Sequence, residues 1–171
     1  MRLDEFELKT KRLLLRPHRI ADAAFMVKLN SDPEVVRYTG DGALSGPAEA
    51  KKIIASLRRQ FRERKIGRFI VIERKTGRPI GWCGLKHLAE KDVIDLGYRF
   101  LKEAWGQGFA SEAAAAGLKY GFEKLGFERI TAYADAENAA SLHVLRKLGM
   151  KPCGAWVERG RKCLRFEISP S

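Results

Sequence analysis

Trp105-Gly106-Gln107-Gly108-Phe109-Ala110-Ser111-Glu112 is the stretch on which the fold depends. Two glycines one residue apart let the backbone turn tightly, with no Cβ in the way. The residues before them, Asp92 to Phe100 (D-V-I-D-L-G-Y-R-F), read as a strand in which Gly97 marks a bulge or a close backbone approach. The residues after them, Gly108 to Leu125, read as a helix. Ala110, Ala114, Gly117, Gly121 and Leu125 share one side of it, small enough on the whole to let it lie close to a sheet. A helix that starts straight after such a turn presents N–H groups with no intrahelical acceptor and the positive end of its dipole. That is a diphosphate site on backbone grounds alone. Its candidate residues are Phe100, Trp105, Gly106, Gln107, Gly108, Phe109, Ala110 and Ser111.

Working outward, the chain before the turn reads as hairpins. Lys11 to Pro17 forms a first strand stopped by its proline. Ile20 to Asn30 and Pro47 to Lys65 have helical spacing, the second with Ile53, Ile54, Leu57 and Phe61 as a buried stripe. Between them Ser31-Asp32-Pro33 caps a short turn, with Pro33 at a first helical position. Arg68 to Arg74 and Pro79 to His87 are strands around the turn Lys75-Thr76-Gly77-Arg78. After the turn the pattern alternates: strand Glu128 to Ala134, helix Asn138 to Leu148 ended by Gly149, then a hairpin of Pro152–Glu158 and Lys162–Ile168 around Arg159-Gly160-Arg161. The expectation is one α/β domain over 1–171, with a mixed, mostly antiparallel central sheet and helices on both faces.

Composition bounds the function. The 171 residues are 45% hydrophobic and 32% charged, ordinary for a soluble globular domain. No apolar run approaches a membrane span, and the first twenty residues are of mixed charge with no secretory block, so a cytoplasmic protein without membrane contact is expected. Cys83, Cys153 and Cys163 are odd in number and lack C-x-x-C spacing, which argues against a disulfide framework or a zinc knuckle. His18, His87 and His143 lack ligand spacing, so no metal is expected. The net charge of +12 favours polyanionic partners, nucleic acid or ribosome among them. Lys51, Lys52, Arg58, Arg59, Arg62, Arg64 and Lys65 form a basic outer face on the long helix, which solubility alone also explains.

A Walker loop is excluded, since no G-x-x-x-x-G-K-[ST] occurs. A dinucleotide fingerprint fits poorly: Ser111 fails the third small position, Glu128 opens its strand rather than ending it, and hairpins precede the turn. Leu96-Gly97-Tyr98 followed by W-G-Q-G-F-A-S-E-A resembles the coenzyme A-binding segment of the GNAT acetyltransferases, Q/R-x-x-G-x-G/A. Gly108 and Ala110 match its last two defined positions, and Trp105 replaces its first. The later N-A-A-S-L-H-V-L-R-K-L-G-M resembles the family's N-x-x-S helix. With R-L-L-L-R-P near the start, the likeness covers almost the whole chain and points to the subgroup containing the ribosomal-protein N-terminal acetyltransferases.

That resemblance implies acetyl-CoA as cosubstrate and an amine acceptor, a protein N-terminus or a small molecule. An α-amine, with pKa about 7.7–8.0, needs only about 1.4 kcal/mol to be neutral near pH 7, whereas a lysine near 10.4 needs about 4.6 kcal/mol. Asp95, two residues before Gly97, is the candidate base, with pairing to an arginine as its alternative. Ser141 is the candidate acid for the leaving thiolate, and Asn138, at i−3 on the same face, caps the helix or contacts the cofactor arm. Trp82, Tyr98 and Trp156 read as core or groove walls. The C-terminal hairpin offers an edge for a homodimer. A non-catalytic CoA- or RNA-binding protein is the rival reading.

Overall fold

A computed structural model describes residues 3–40, 42–158 and 160–170, without the side chains of Asp4 and Glu158. Arg159, in the expected C-terminal turn, lies outside the described residues. The chain runs β1 (Leu8–Lys9), β2 (Leu13–Arg16), α1 (Ala23–Ser31), α2 (Pro33–Val36), α3 (Pro47–Arg64), β3 (Arg68–Glu73), β4 (Arg78–Leu88), β5 (Val93–Phe100), α4 (Phe109–Glu123), β6 (Ile130–Asp135), α5 (Ala139–Lys147), β7 (Lys151–Glu158) and β8 (Arg161–Ile168). The two-residue β1 was not expected. It pairs with β2 at Leu8–Leu15 and Lys9–Leu14, and so short a strand has no readable alternation.

One eight-stranded sheet has the order β1-β2-β3-β4-β5-β6-β8-β7. Every neighbouring pair is antiparallel except β5–β6, whose connection is the crossover helix α4. Among the described residues that parallel pair is in register only at Asp95 with Thr131, where Thr131 Oγ1 also donates to the Ile94 carbonyl at 3.0 Å. The two strands therefore part in the middle of the sheet. In the C-terminal hairpin, offered as a dimer edge, β7 is the outermost strand.

Side-chain alternation along β5 sorts the two faces. Leu96 and Phe100 join the main core beneath α4, with Phe69, Cys83 and Leu85 from the neighbouring strands. Gly121 sits so close to the sheet that a Cβ there would meet Ile130 Cδ1 and Leu85 Cδ1 at 2.8 Å, as the small-residue stripe of α4 implied. Phe6, Phe61, Phe69 and Tyr120 stack edge-to-face and tilted, with centroids 4.8–6.3 Å apart, and join the end of α3 to α4. The opposite face, which carries Trp82 and Arg99, is covered by α1 and α3.

Helix ends follow local chemistry. Asp32 accepts from the Glu34 N–H at 2.9 Å and Pro33 opens α2. Pro47 opens α3, and Lys65 in a left-handed conformation closes it. Two expectations for α3 need correction. Ile54 and Phe61 are buried but Ile53 and Leu57 are only half-buried, because they line a cleft rather than the core. Arg58 does not belong to the outer basic face: it turns inward and donates to the His18 carbonyl at 2.8 Å. Gly97 is not a bulge, since β4 and β5 stay in register through it. The close approach there comes from a side chain, not from backbone.

Candidate active site

After β5 the chain makes a turn of 3-10 helix, Lys102–Ala104, then reaches Gly106 and Gly108 with φ of +70° and +79°. These left-handed values favour glycine. Gly108 is the N-cap of α4 and carries no side chain to cover the helix end. The N–H of Glu112 bonds the Gly108 carbonyl at 3.1 Å, which leaves the N–H groups of Phe109, Ala110 and Ser111 ahead of the first helical bond. Helix N–H groups without intrahelical acceptors are what an anion site of this kind is built from.

The side chains of this segment serve it unequally. Phe100 and Phe109 are buried in the core, so only their backbones belong to the turn. Trp105 is 45% exposed and its Nε1 donates to the Phe100 carbonyl at 2.9 Å, bracing the turn from outside. Gln107 Nε2 donates to the Glu103 carbonyl at 2.8 Å. Ala110 and Ser111 are half-buried.

Glu112, in the first turn of α4, ties the site to the β1–β2 turn. It accepts from Thr10 Oγ1 at 2.5 Å, from the Arg12 N–H at 2.8 Å and from Arg12 Nε at 2.7 Å. Arg12 Nη1 donates to the Gln107 carbonyl at 2.8 Å, and its guanidinium lies 4.5 Å from the Phe109 ring centre. Burial opposes the Glu112 charge, but these bonds hold its carboxyl below the usual carboxylate range. Glu112→Gln is expected to lower stability by about 1.5 kcal/mol, the scale of a hydrogen bond to a charged group. An unchanged urea midpoint would remove the latch from the account.

Where β5 and β6 part, Tyr98 reaches α5. Its hydroxyl lies 3.0 Å from Ser141 Oγ and donates to the Ser141 carbonyl at 3.2 Å. Asn138 is the N-cap: its Oδ1 accepts from the Ser141 N–H at 3.1 Å. Burial pushes the Tyr98 phenol up to about 12, so it stays protonated at neutral pH and can donate. By its sequence Tyr98 reads as a wall; three residues after Asp95 on one strand, it lies on the opposite face of the sheet.

Asp95 lies on the other face of β5, 7% exposed. Arg68 Nη2 donates to its Oδ2 at 2.5 Å. Arg68, Gly84 and Gly97 are cross-strand neighbours, and a Cβ on Gly97 would meet Arg68 Nη1 at 1.4 Å. The glycine therefore makes room for the guanidinium. Burial raises the Asp95 pKa and Arg68 works against that rise. The guanidinium carbons of Arg68 and Arg99 lie 5.0 and 5.4 Å from the Trp82 ring centre, and Arg99 donates to Asn30. Above this floor is a cleft of about 620 Å³, walled by α1, α3 and residues 42–44. Asp95 and Ser141 thus approach the parted strands from opposite faces rather than meeting each other. Arg12, His18 and Arg68 were not singled out from sequence as site residues, since each depends on pairings more than 25 residues away or on burial.

His143 is exposed, two residues beyond Ser141 on α5. His87 lies at 2.9 Å from Asp92 and 2.6 Å from Arg64. Among the described residues no helix is long and apolar enough to cross a membrane.

Known proteins resemble this arrangement. The family profile described as Acetyltransferase (GNAT) domain matches residues 12–151. An uncharacterized N-acetyltransferase, p20, of Bacillus licheniformis is 33% identical over 148 residues, 86% of this chain and 83% of that protein. The crystal structure of a GNAT-family acetyltransferase from Bacillus anthracis superimposes with a TM-score of 0.84 at 25% identity, over 96% of this chain and 98% of the other. A spermidine N-acetyltransferase from Vibrio cholerae, solved with CoA and spermine, has the same fold, with a TM-score of 0.79 at 21% identity over 94% of this chain and 96% of that one.

Proposed function

The chain belongs to the GNAT acetyltransferase family and is an acetyl-CoA-dependent N-acetyltransferase; we propose that it acetylates an α-amine, the N-terminus of a protein, in the manner of the ribosomal-protein N-terminal acetyltransferases. The observation that carries the reading of the site is the uncapped N-terminus of α4 behind two left-handed glycines. The N–H groups of Phe109, Ala110 and Ser111 hold the diphosphate of the cosubstrate there. The acceptor enters from the Asp95 face, through the cleft above Trp82. Its nitrogen attacks the acetyl carbonyl carbon, the carbon–sulfur bond breaks, and the thiolate leaves towards the α5 face.

Asp95 is proposed as the proton acceptor, acting directly or through a bridging water. Burial makes its carboxylate a stronger base than an exposed one, and the Arg68 contact works against that rise. An α-amine demands little of such a base, which is why we favour it over a lysine side chain. Ser141, bonded to Tyr98 and placed by the Asn138 cap, donates to the thiolate. A free thiol has a pKa of about 8.5, so the demand is modest. Ser141→Ala is therefore expected to lower kcat roughly tenfold, towards the low end of general acid catalysis, while the Kd for CoA stays within about twofold. An unchanged kcat would remove Ser141 as the acid.

The test of the whole reading is calorimetric titration, in which acetyl-CoA and CoA bind and NAD does not. Folded protein that ignores acetyl-CoA would sink it. A turnover screen over peptide N-termini, lysine peptides and small amines then decides the acceptor. The volume of the cleft, about 620 Å³, also suits a second reading, the same chemistry on a small-molecule amine. Lys51, Lys52, Arg59, Arg62, Arg64 and Lys65, exposed on α3, extend the proposal to a ribosomal or other polyanionic partner.

A further inference from the structure

Beside the diphosphate cradle, the turn before β2 and the turn after β3 leave an open hollow of about 430 Å³, lined by Lys11, Arg12, Glu73, Arg74 and Lys75. The Arg74 N–H bonds the Arg12 carbonyl at 2.8 Å, which joins the two turns. Arg74 Nη1 donates to the carbonyls of Thr10 and Lys11 at 2.8 and 3.2 Å, which holds its guanidinium against the β1–β2 turn. Arg12 is the wall shared with the cradle. Its Nη1 donates to the Gln107 carbonyl, and its Nη2 lies 3.4 Å from the point that a Cβ on Gly108 would occupy.

Four cations line this hollow with one acid. Glu112, from α4, pairs with Arg12, and Glu73 accepts from Thr76 Oγ1 at 2.7 Å. Lys11 and Lys75 are exposed, and among the described residues their side chains have no hydrogen-bond or ion-pair partner. The hollow therefore keeps an excess of positive charge next to the positive end of α4. Cations gathered in this way repel one another, and a bound anion relieves the repulsion.

The cosubstrate carries such an anion. CoA bears its diphosphate on the 5′ carbon of a ribose and a phosphomonoester on the 3′ carbon, so the two groups are one sugar ring apart. A phosphomonoester holds a charge of about −1.5 to −2 at neutral pH and offers three acceptor oxygens. Lysines meet it as point charges, and a braced guanidinium meets it with planar donors.

We propose that Lys11, Arg74 and Lys75 form the site of the CoA 3′-phosphate. The proposal rests on the reading of the α4 N-terminus as the diphosphate cradle, and it adds recognition of a group that takes no part in acetyl transfer.

The test is calorimetric titration with CoA and with dephospho-CoA, which lacks only that phosphate. Wild-type protein is expected to bind CoA roughly tenfold more tightly at low salt, the scale of three exposed ion pairs acting together. The gap should narrow as salt is raised. Arg74 braces the β1–β2 turn and is left in place. In Lys11→Ala/Lys75→Ala the ratio falls to about threefold or less, as two of the three pairs are lost, while dephospho-CoA binds much as in wild type. Lys119→Ala/Lys124→Ala removes the same charge at the far end of α4 and keeps the wild-type ratio. A wild type that binds both ligands equally overturns the proposal. So does a ratio that survives in Lys11→Ala/Lys75→Ala, or one that falls as far in Lys119→Ala/Lys124→Ala. Failure to bind either ligand takes the diphosphate cradle down as well, whereas equal binding of the two leaves the cradle and the transferase reading in place.

Discussion

Gly108→Asp is expected to weaken CoA binding by roughly two orders of magnitude. Gly108 caps α4 with a φ of +79°, a conformation aspartate tolerates better than most residues, so the fold should survive the change. The loss arises from charge. A carboxylate at the helix N-cap would stand about 5 Å from the bound diphosphate, and two unit charges at that distance repel by about 3 kcal/mol at an effective dielectric constant near 20. Gly108→Asn is the control, because it has the same shape and the same backbone tolerance but no charge; it should cost no more than a few-fold. Calorimetry on the three proteins, repeated at higher salt, reads the difference, which should shrink as salt screens it. If the aspartate protein binds CoA within about threefold of wild type, the diphosphate lies elsewhere.

Acidification should cost the native protein about 3 kcal/mol between pH 6.5 and pH 4, through His18 alone. In the unfolded chain this histidine takes up a proton near pH 6.5; in the folded protein burial lowers its pKa to about 4. Over that window the unfolded state binds the extra proton, so stability rises with pH and falls as acid is added, by about 1.4 kcal/mol per pH unit. Other groups titrate below or against it. Asp22, Glu112 and Asp135 have lowered carboxyl pKa values, so their contributions are lost only below the ordinary carboxylate range. Asp95 has a raised one and works in the opposite sense, favouring the folded state once it is protonated. The comparison with His18→Phe isolates the histidine. Urea unfolding of the two proteins at a series of pH values should give curves that converge towards pH 6.5 in slope and separate below it. Parallel curves throughout would show that the ring is not buried as a neutral group.

The architecture was legible because its signals are local and periodic. The glycine turn, the small-residue side of Gly108–Leu125 and the capped helix after Asn138 each predict one element and its neighbour, and α4 and α5 stand where they place them. The hairpin around Gly77 follows from a single left-handed position, with φ of +69°. What was not legible depends on residues far apart in the chain. Ile53 and Leu57 have the spacing of core residues, but spacing cannot tell a core from the wall of a cleft. Arg58 reads as one more cation on a basic face until the position of His18 is known. The partner of Asp95 lies 27 residues before it, and nothing in the alternation of β5 names Arg68. Tyr98 and Ser141 are 43 residues apart and meet only because β6 leaves the side of β5.

Gly97 has a consequence for how this protein can change over time. Its missing side chain is occupied by the guanidinium of Arg68, and that guanidinium in turn holds Asp95. A larger residue at position 97 has to push the guanidinium of Arg68 aside, and losing the arginine first strands a buried acid. The three positions are tied into one inherited unit. Variation among descendants should arrive there as a set, in a restricted order, while the cleft walls above remain free to drift towards new substrates.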